Sequence, residues 1–441
     1  MPKGLRNLAI AFEEPHLTHF AVMVLFHAFC QQLGLRRLLE RCLRPTPRAR
    51  DYHAAELLMA LLYAIIIGLD RVNATQILQY NGAFQRIVGL DRFPDATTLR
   101  RFLRRLRPRH IRQLARLHDQ LRHALFARPR PRTSLVFDLD SVVLVVYGHA
   151  EGARVGYNPK KRGRRLYHPL MCFEAHHQEF WHGSLRPGNT VAATGAVPFL
   201  RVCLAKVPRG VARARVRVRA DSGFFGNRVL EFLESAGVGY AIVAKEHKPI
   251  KAAAQGCRFR RLRSGWEVGE FRYQAGTWPL ARRCVVVRRP IPTDPVEAKQ
   301  LTLFKDQRYA YHVLVTNLRT HPWRVWRFYA QRARIERHIR ELLYDYPLAK
   351  IPTADWIPNV AFFQLLLFAF DLIHYFRRLC LPSAYRTKTL KTLRLELLAI
   401  PGRLVKTGNR YRLKLPRDYH FERTFQSALT KIRGLRPVEF Q

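Results

Sequence analysis

The sequence predicts an α/β protein in which an all-α N-terminal region precedes a core of strands and helices, and a β-rich insertion splits that core. Three observations carry this. Apolar residues recur at helical spacing before residue 128, strands alternate with helices from about 134 to 236, and strand signals punctuated by Gly and Pro run from 239 to about 318 before helices return. A length of 441 residues suits roughly two to four structural units. The expected divisions are 1–128, 129–238, 239–320, 321–380 and 381–441, the last a basic region with a β-hairpin.

In the N-terminal region the helical signal covers 17–33, 54–68, 73–87 and 97–127. Asp95-Ala-Thr-Thr98 supplies a cap for the last of these, because an Asp side chain accepts from the free N–H groups of a first helical turn. In that helix Leu99, Phe102, Leu103 and Leu106 make one stripe, while Arg100, Arg101, Arg104, Arg105 and Arg107 cover the other face ahead of Pro108. That basic face is either a solvated surface or a side that faces nucleic acid. Leu57 to Ile67 is an apolar run of 11 residues, too short to span a bilayer. Ala361 to Phe376 is interrupted by Gln364, Asp371 and His374. Both read as buried helices of a soluble protein. Met1 to Glu14 has no apolar segment after a basic start, so no signal peptide is expected.

Arg128-Pro-Arg-Pro-Arg132 reads as a linker broken by proline. Ser134 to Tyr147 follows as a strand-rich stretch in which Asp138 and Asp140, two residues apart, point to one face. A strand is expected at Leu170 to Ala175, a loop at Arg186-Pro-Gly-Asn-Thr190, and a helix at about 193–206. The alternating strand Ala214 to Ala220 ends at Asp221, with Ser222-Gly223 as the turn and Asn227 to Ala236 as a helix. Tyr240 to Val243, Trp266 to Tyr273, Arg283 to Val287 and Tyr309 to Val315 are the strands of the insertion. Helices follow at 323–345 and 357–379, and Gly408-Asn409 between alternating segments marks a hairpin.

The charge is extreme. Seventy-seven Lys and Arg against 32 Asp and Glu leave a formal net charge of +45, spread along the whole chain. With 48% hydrophobic residues the chain builds a large core, which excludes a disordered polycation. Nucleic acid is the first partner this balance suggests; an anionic membrane surface and a basic tail on a neutral enzyme are the alternatives, and the even spread speaks against the latter. Seven cysteines, odd in number and without a CxxC pair, speak against a zinc ribbon or a disulfide framework and for a reducing, cytoplasmic setting.

Three carboxylates stand out. A side chain such as Asp140 on the buried side of so apolar a strand costs several kcal/mol unless it is paired or bound to a metal, and Asp138 meets the same description. Asp221 lies at the C-terminal end of a strand, where α/β sheets place ligands, although a turn Asp followed by Ser-Gly is also an ordinary cap. On the 323–345 helix, Phe328, Ile335, Ile339, Leu342 and Tyr346 form the core stripe, and Tyr329, Arg332, Glu336 and Arg340 share the neighbouring flank. That flank is either an Arg332–Glu336–Arg340 ladder in solvent or a rim facing a cleft. Hard carboxylate oxygens suit Mg²⁺, and two such ions about 4 Å apart serve phosphodiester cleavage. No P-loop and no Gly-x-Ser-x-Gly elbow is present.

Six ordered strings carry a family resemblance: Phe137-Asp-Leu-Asp-Ser141, Gly156-Tyr-Asn-Pro-Lys-Lys-Arg-Gly163, Tyr167-His-Pro-Leu170, Leu185-Arg-Pro-Gly-Asn-Thr190, Arg219-Ala-Asp-Ser-Gly-Phe224 and Tyr329-x-x-Arg332-x-x-x-Glu336. With them the chain resembles the DDE transposases of bacterial insertion sequences that carry a β-rich insertion before the last Glu. The resemblance implies an RNase H-like core built on a five-stranded mixed sheet. It implies catalytic, metal-binding roles for Asp140, Asp221 and Glu336 with two Mg²⁺ ions, for which Mn²⁺ can substitute. Asp140 is preferred to Asp138 because the family's Asp precedes a hydroxyl residue, here Ser141. Tyr329 and Arg332 are expected to grip DNA near the scissile phosphate. The N-terminal helices are expected to recognise terminal inverted repeats, and a homodimer is expected in the DNA complex.

Around this site Lys160, Lys161, Arg162, Arg164 and Arg165 form a basic loop that suits phosphate, and Arg186, Asn189 and Lys245 are further candidates for DNA contact. Trp323 and Trp326 read either as core residues or as platforms for a base. One position departs from the family pattern. Its Lys seven residues after the Glu is Leu343 here, and Arg340, one turn after Glu336, is the candidate replacement. A transposase-derived DNA-binding protein with impaired catalysis and a metal-dependent nuclease without strand transfer are the alternative functions.

Overall fold

The computed structural model describes residues 11–14, 16–44, 51–126, 133–262, 264–291, 304–305 and 308–438. The proline-broken segment 128–132 lies outside them. The chain divides into two compact units. One comprises 1–117, 345–352 and 372–441, and the other 118–344 and 353–371.

The first unit is helical with a small sheet. Ala54–Ile67 is buried at every position except Glu56, whose side chain accepts from the His53 backbone N–H to close a capping box. The apolar run that is too short for a membrane is therefore a core helix. The expected 97–127 helix is two helices, Ala96–Arg105 and Pro108–Phe126. Pro108 has no N–H to continue the first and pushes Arg107 out of helical conformation. Asp95 caps the first of them through Thr98 N at 2.7 Å, and Leu99, Phe102, Leu103 and Leu106 are buried as the stripe requires. The 17–33 expectation is also revised: the helix is Met23–Gln32, and Leu17–Thr18 is a strand that pairs with the C-terminal hairpin, Leu17 opposite Arg403. The hairpin Gly402–Thr407 and Arg410–Lys414 turns at Gly408, whose φ of +58° suits glycine. Residues 381–438 thus belong to the same unit as the N-terminal helices.

The second unit is built on a ten-stranded sheet. Its strands include β1 (Leu135–Ser141), β2 (Leu170–Glu174), β3 (Glu179–Ser184), β4 (Val216–Ala220), β5 (Gly239–Val243), β6 (Glu267–Tyr273), β7 (Arg282–Pro290) and β8 (Tyr309–Thr316). The order β3-β2-β1-β4-β5, with β1, β4 and β5 parallel and β2 and β3 antiparallel, is the RNase H-like mixed sheet. The insertion strands continue from its free edge as β8, β7, β6 and the two-residue strand Arg260–Arg261, all antiparallel. The β-rich insertion therefore extends the core sheet, and β5, expected as its first strand, is the fifth strand of the core.

Strand alternation divides the two faces. Leu135, Phe137 and Leu139 join Val216, Val218 and Ala220 in a core packed against α1 (Ala196–Ala205) and α2 (Asn227–Ser235). The opposite face, with Asp138, Asp140 and Arg219, meets α3 (Pro322–Ala330) and α4 (Ala333–Tyr344). Trp356–Cys380 is long and apolar enough to cross a membrane, and most of it is buried in the protein. Two of its polar groups have internal partners: Gln364 donates to Gly183 O at 2.7 Å, and Asp371 accepts from Phe180 N at 3.0 Å and contacts His118 at 2.7 Å. All seven cysteines are free thiols.

His182 on β3 stacks on Phe199 of α1, ring centroids 4.7 Å apart. Burial, followed by the charges of Lys206 and Arg122, lowers its pKa to about 3. It is neutral in the fold and gains a proton on unfolding below its ordinary value of 6.5, so its contribution to stability is lost as pH falls below that point. His182→Phe is expected to narrow the loss. Between pH 6.5 and 5 the unfolding free energy of wild type should fall relative to the variant by ~2 kcal/mol, measured by chemical denaturation. Parallel curves would contradict a neutral His182.

Candidate active site

Asp140 and Asp221 come together through the register of β1 and β4. These strands run parallel with Asp138 opposite Arg219 and Leu139 opposite Ala220, so the next step along each brings Asp140 and Asp221 side by side at their C-terminal ends. Asp140 is fixed by Ser141 N, which donates to its Oδ1 at 2.8 Å. Asp221 caps the following turn, accepting from Gly223 N at 2.9 Å. The capping and ligand readings of Asp221 are therefore compatible, since its Oδ2 remains for other partners.

The third carboxylate arrives on α4. The 323–345 segment expected as one helix is broken at Gln331 and Arg332, between α3 and α4. Neither Gly nor Pro stands there, and a tertiary contact accounts for the break. Arg332 is buried, and its Nη2 donates to Leu139 O at 3.2 Å. The same guanidinium lies 3.2 Å from Asp140 Oδ2, 3.9 Å from Asp221 Oδ2 and 3.4 Å from Glu336 Oε1. One cation thus gathers all three carboxylates. Burial pushes the Asp140 carboxyl up to about 6, with Arg332 opposing and Asp221 adding to the shift. The pKa of Arg332 moves upward: burial opposes the charged form, and Asp140 leads the neighbours that outweigh it. Tyr329, half-buried beside them, is raised to about 12 by burial.

Asp138, the alternative to Asp140, has a different partner. Arg219 donates to both its oxygens at 2.5 and 2.8 Å, and Arg219 Nη1 donates to Phe328 O at 2.7 Å. This buried pair ties the end of α3 to β1 and β4. Sequence reasoning missed it. The available signal was an Asp and an Arg at the same offset, two residues before Asp140 and Asp221 respectively.

The other candidate residues fall into two groups. Lys160, Lys161, Arg162, Arg164 and Arg165 are exposed on the excursion that leaves β1 after Ser141 and rejoins the sheet at Leu170, opposite Ser141. Asn158 shapes that loop by accepting from Lys160 N and Lys161 N. Asn189 is exposed, Lys245 is exposed just beyond the C-terminal end of β5, and Arg340 is exposed one turn after Glu336, with Leu343 half-buried. Arg186 is a correction to the expected set of DNA contacts. It is buried, and its guanidinium donates to the carbonyls of His168, Val191, Ala192 and Thr194, so it braces its own loop. The same loop requires Gly188, where a Cβ would meet Leu166 O at 2.1 Å and Arg154 O at 2.2 Å. Trp323 and Trp326 cluster with Trp266 at 6.0 and 5.7 Å between centroids, and Trp326 lies 6.1 Å from Tyr329.

Among the described residues no three His, Cys, Asp or Glu side chains stand close enough to form a metal site as they are. The guanidinium of Arg332 occupies the point on which Asp140, Asp221 and Glu336 converge. Three hard oxygen donors around one cation nevertheless fit a hard divalent ion.

The family model described as transposase DDE domain, group 1, matches residues 2–437, and the chain belongs to that family. No curated protein matches the chain. Among solved structures it is similar to the piggyBac transposase in a synaptic complex with hairpin DNA, at 12% identity over 86% of this chain and 78% of that one, with a TM-score of 0.45. It is also similar to the Mos1 transposase in a paired-end complex with the left transposon end, at 15% identity over 44% of this chain and 59% of that one, with a TM-score of 0.18.

Proposed function

We propose that this transposase serves an insertion sequence: it binds the terminal inverted repeats, cleaves DNA at the element ends by metal-dependent hydrolysis and joins the resulting 3′-OH to target DNA. The observation that carries the reading is the convergence of Asp140, Asp221 and Glu336 on one guanidinium. In the working enzyme these three carboxylates would hold the divalent ions that the family uses. Bound there, such ions supply an activated water and stabilise the leaving oxygen. Arg332 neutralises part of the carboxylate charge where it lies, and its guanidinium would be a donor for a DNA phosphate beside the ions. The exposed Lys160–Arg165 loop, Asn189, Lys245 and Arg340 border the C-terminal end of the core sheet and suit backbone phosphates. The arginine face of Ala96–Arg105 suits the terminal repeats, and a homodimer would bridge two ends.

The test uses purified protein and a labelled duplex carrying the element's own terminal repeat, with Mg²⁺ or Mn²⁺ against EDTA. Metal-dependent nicking at the element boundary is expected. Specific binding without nicking would favour an impaired, transposase-derived DNA-binding protein. Leu343→Lys is then the first repair to try. Nicking without joining of pre-cut ends would favour a nuclease.

A further inference from the structure

The catalytic face of β1 and β4 continues below the carboxylates, and its lower end has a different character. Strand alternation stacks residues on this face in steps of two: Asp140 with Asp221, then Asp138 with Arg219, then Val136 with Arg217. The Asp138–Arg219 pair closes the second step by tying itself to Phe328 O. Beneath it opens a cleft of about 230 Å³, with Arg215 and Arg217 on one wall, Gln331 and Arg334 from the α3–α4 elbow on another, and His176 at the edge. The Arg217 guanidinium rests 5.6 Å from the centroid of the Phe328 ring.

The cleft is positive and uncompensated. No acidic side chain lines it. Among the described residues Arg215, Arg217 and Arg334 are exposed, and no carboxylate pairs with them. The nearby Glu174 is buried, and it already accepts from Val136 N, His176 N and His177 N. Like charges gathered without counter-charge repel one another, and an anion between them removes that cost. Guanidinium forks and a neutral amide are the donors that phosphate oxygens accept.

We propose that this cleft holds a backbone phosphate of the DNA strand that passes the catalytic carboxylates. The inference rests on the transposase reading above. Its geometry favours a polymer over a small anion: the arginines are exposed, Arg215 lies just before β4, and Arg217 on β4 shares a sheet face with Asp140 and Asp221. Four residues of strand separate Arg217 from Asp221, roughly 13 Å at ~3.3 Å per residue, or about four nucleotide steps at ~3.4 Å along one strand. The elbow serves both places, because Arg332 faces the carboxylates while Arg334 faces the cleft.

The test measures duplex binding in EDTA by fluorescence anisotropy as a function of salt. The proteins compared are wild type, Arg217→Gln/Arg334→Gln, its Lys counterpart Arg217→Lys/Arg334→Lys, and a distant control, Lys350→Gln. Thermal unfolding midpoints confirm that each is folded. The Gln pair is expected to reduce the slope of log K against log[salt] by about 0.9 for each phosphate that is no longer neutralised, with the Lys pair and the control near wild type. A Gln pair with the wild-type slope overturns the proposal. Inorganic phosphate forms a second arm: if the Gln pair loses stabilisation by phosphate yet binds DNA as wild type does, the cleft is a small-anion site and the proposal falls. A wild-type protein that nicks element ends while the Gln pair binds DNA unchanged refutes the cleft alone. A wild-type protein that binds DNA through the cleft but never nicks refutes the catalytic reading alone.

Discussion

Asp221→Asn is expected to leave DNA binding intact and to reduce cleavage by on the order of a thousandfold or more, equivalent to about 4 kcal/mol of transition-state stabilisation. The substitution is close to a pure charge change. The Asn Oδ1 can still accept from Gly223 N, the bond that Asp221 makes at 2.9 Å, so the turn after β4 and the start of α2 should hold. Removing one negative charge from a chain of formal charge +45 does not weaken attraction to DNA. What disappears is a carboxylate that faces Arg332 together with Asp140 and Glu336, and an amide binds a divalent ion far less well than a carboxylate. Gel shift and nicking on the same duplex separate the two properties. Normal nicking by the variant would place the catalytic centre elsewhere. Weakened binding with unchanged nicking would make Asp221 a structural cap only.

Why Asp221 is readable from the sequence while the position of Arg332 is not is a matter of range. Asp221 is announced by local signals, an alternating strand that ends in Asp-Ser-Gly. The convergence of three carboxylates on one guanidinium depends on strand register and on a helix break that only tertiary packing produces. Helical arithmetic places Arg332 on the flank of a continuous helix, and the actual break between α3 and α4 turns it inward to Leu139 O. Periodicity does not separate Asp138 from Asp140, because residues two apart on a strand share a face. In the fold the partner across the sheet distinguishes them: Arg219 lies opposite Asp138.

The fold shows the same division. Ala54–Ile67 and the parallel strands β1, β4 and β5 are legible because their apolar patterns are long or regular. β3 is not. Its sequence, Glu-Phe-Trp-His-Gly-Ser, has charge at its start and no β-branched residue, yet Glu179 is fully buried. Leu17–Thr18 forms a strand because Arg403 and Gly402 lie alongside it, a pairing between opposite ends of the chain that no local pattern encodes. Sequence reasoning misjudges the extent of the core at β5 for a related reason: strands of the insertion and of the core have the same composition when they belong to one sheet.

Arg219→Ala is expected to destabilise the fold by ~3–5 kcal/mol, because it leaves Asp138 buried without its partner. Both side chains are essentially inaccessible, and burial pushes the Asp138 carboxyl up to about 6 against the opposing effect of Arg219. Replacing both members, as Asp138→Leu/Arg219→Met, removes the uncompensated charge, and the double variant should recover most of the lost stability. Cleavage should not recover with it. Arg219 also donates to Phe328 O, the carbonyl just before Tyr329, and methionine offers no donor. Without that bond the elbow carrying Arg332 is free to shift relative to β1 and β4, and a displacement of about 1 Å at a reacting centre costs on the order of a hundredfold in rate. Chemical denaturation and nicking measured on the single and double variants distinguish the two roles. If stability and cleavage return together, Arg219 only neutralises Asp138. If stability returns and cleavage stays low, the pair positions the elbow, and Arg219 links the strand register to the placement of Arg332 and Glu336.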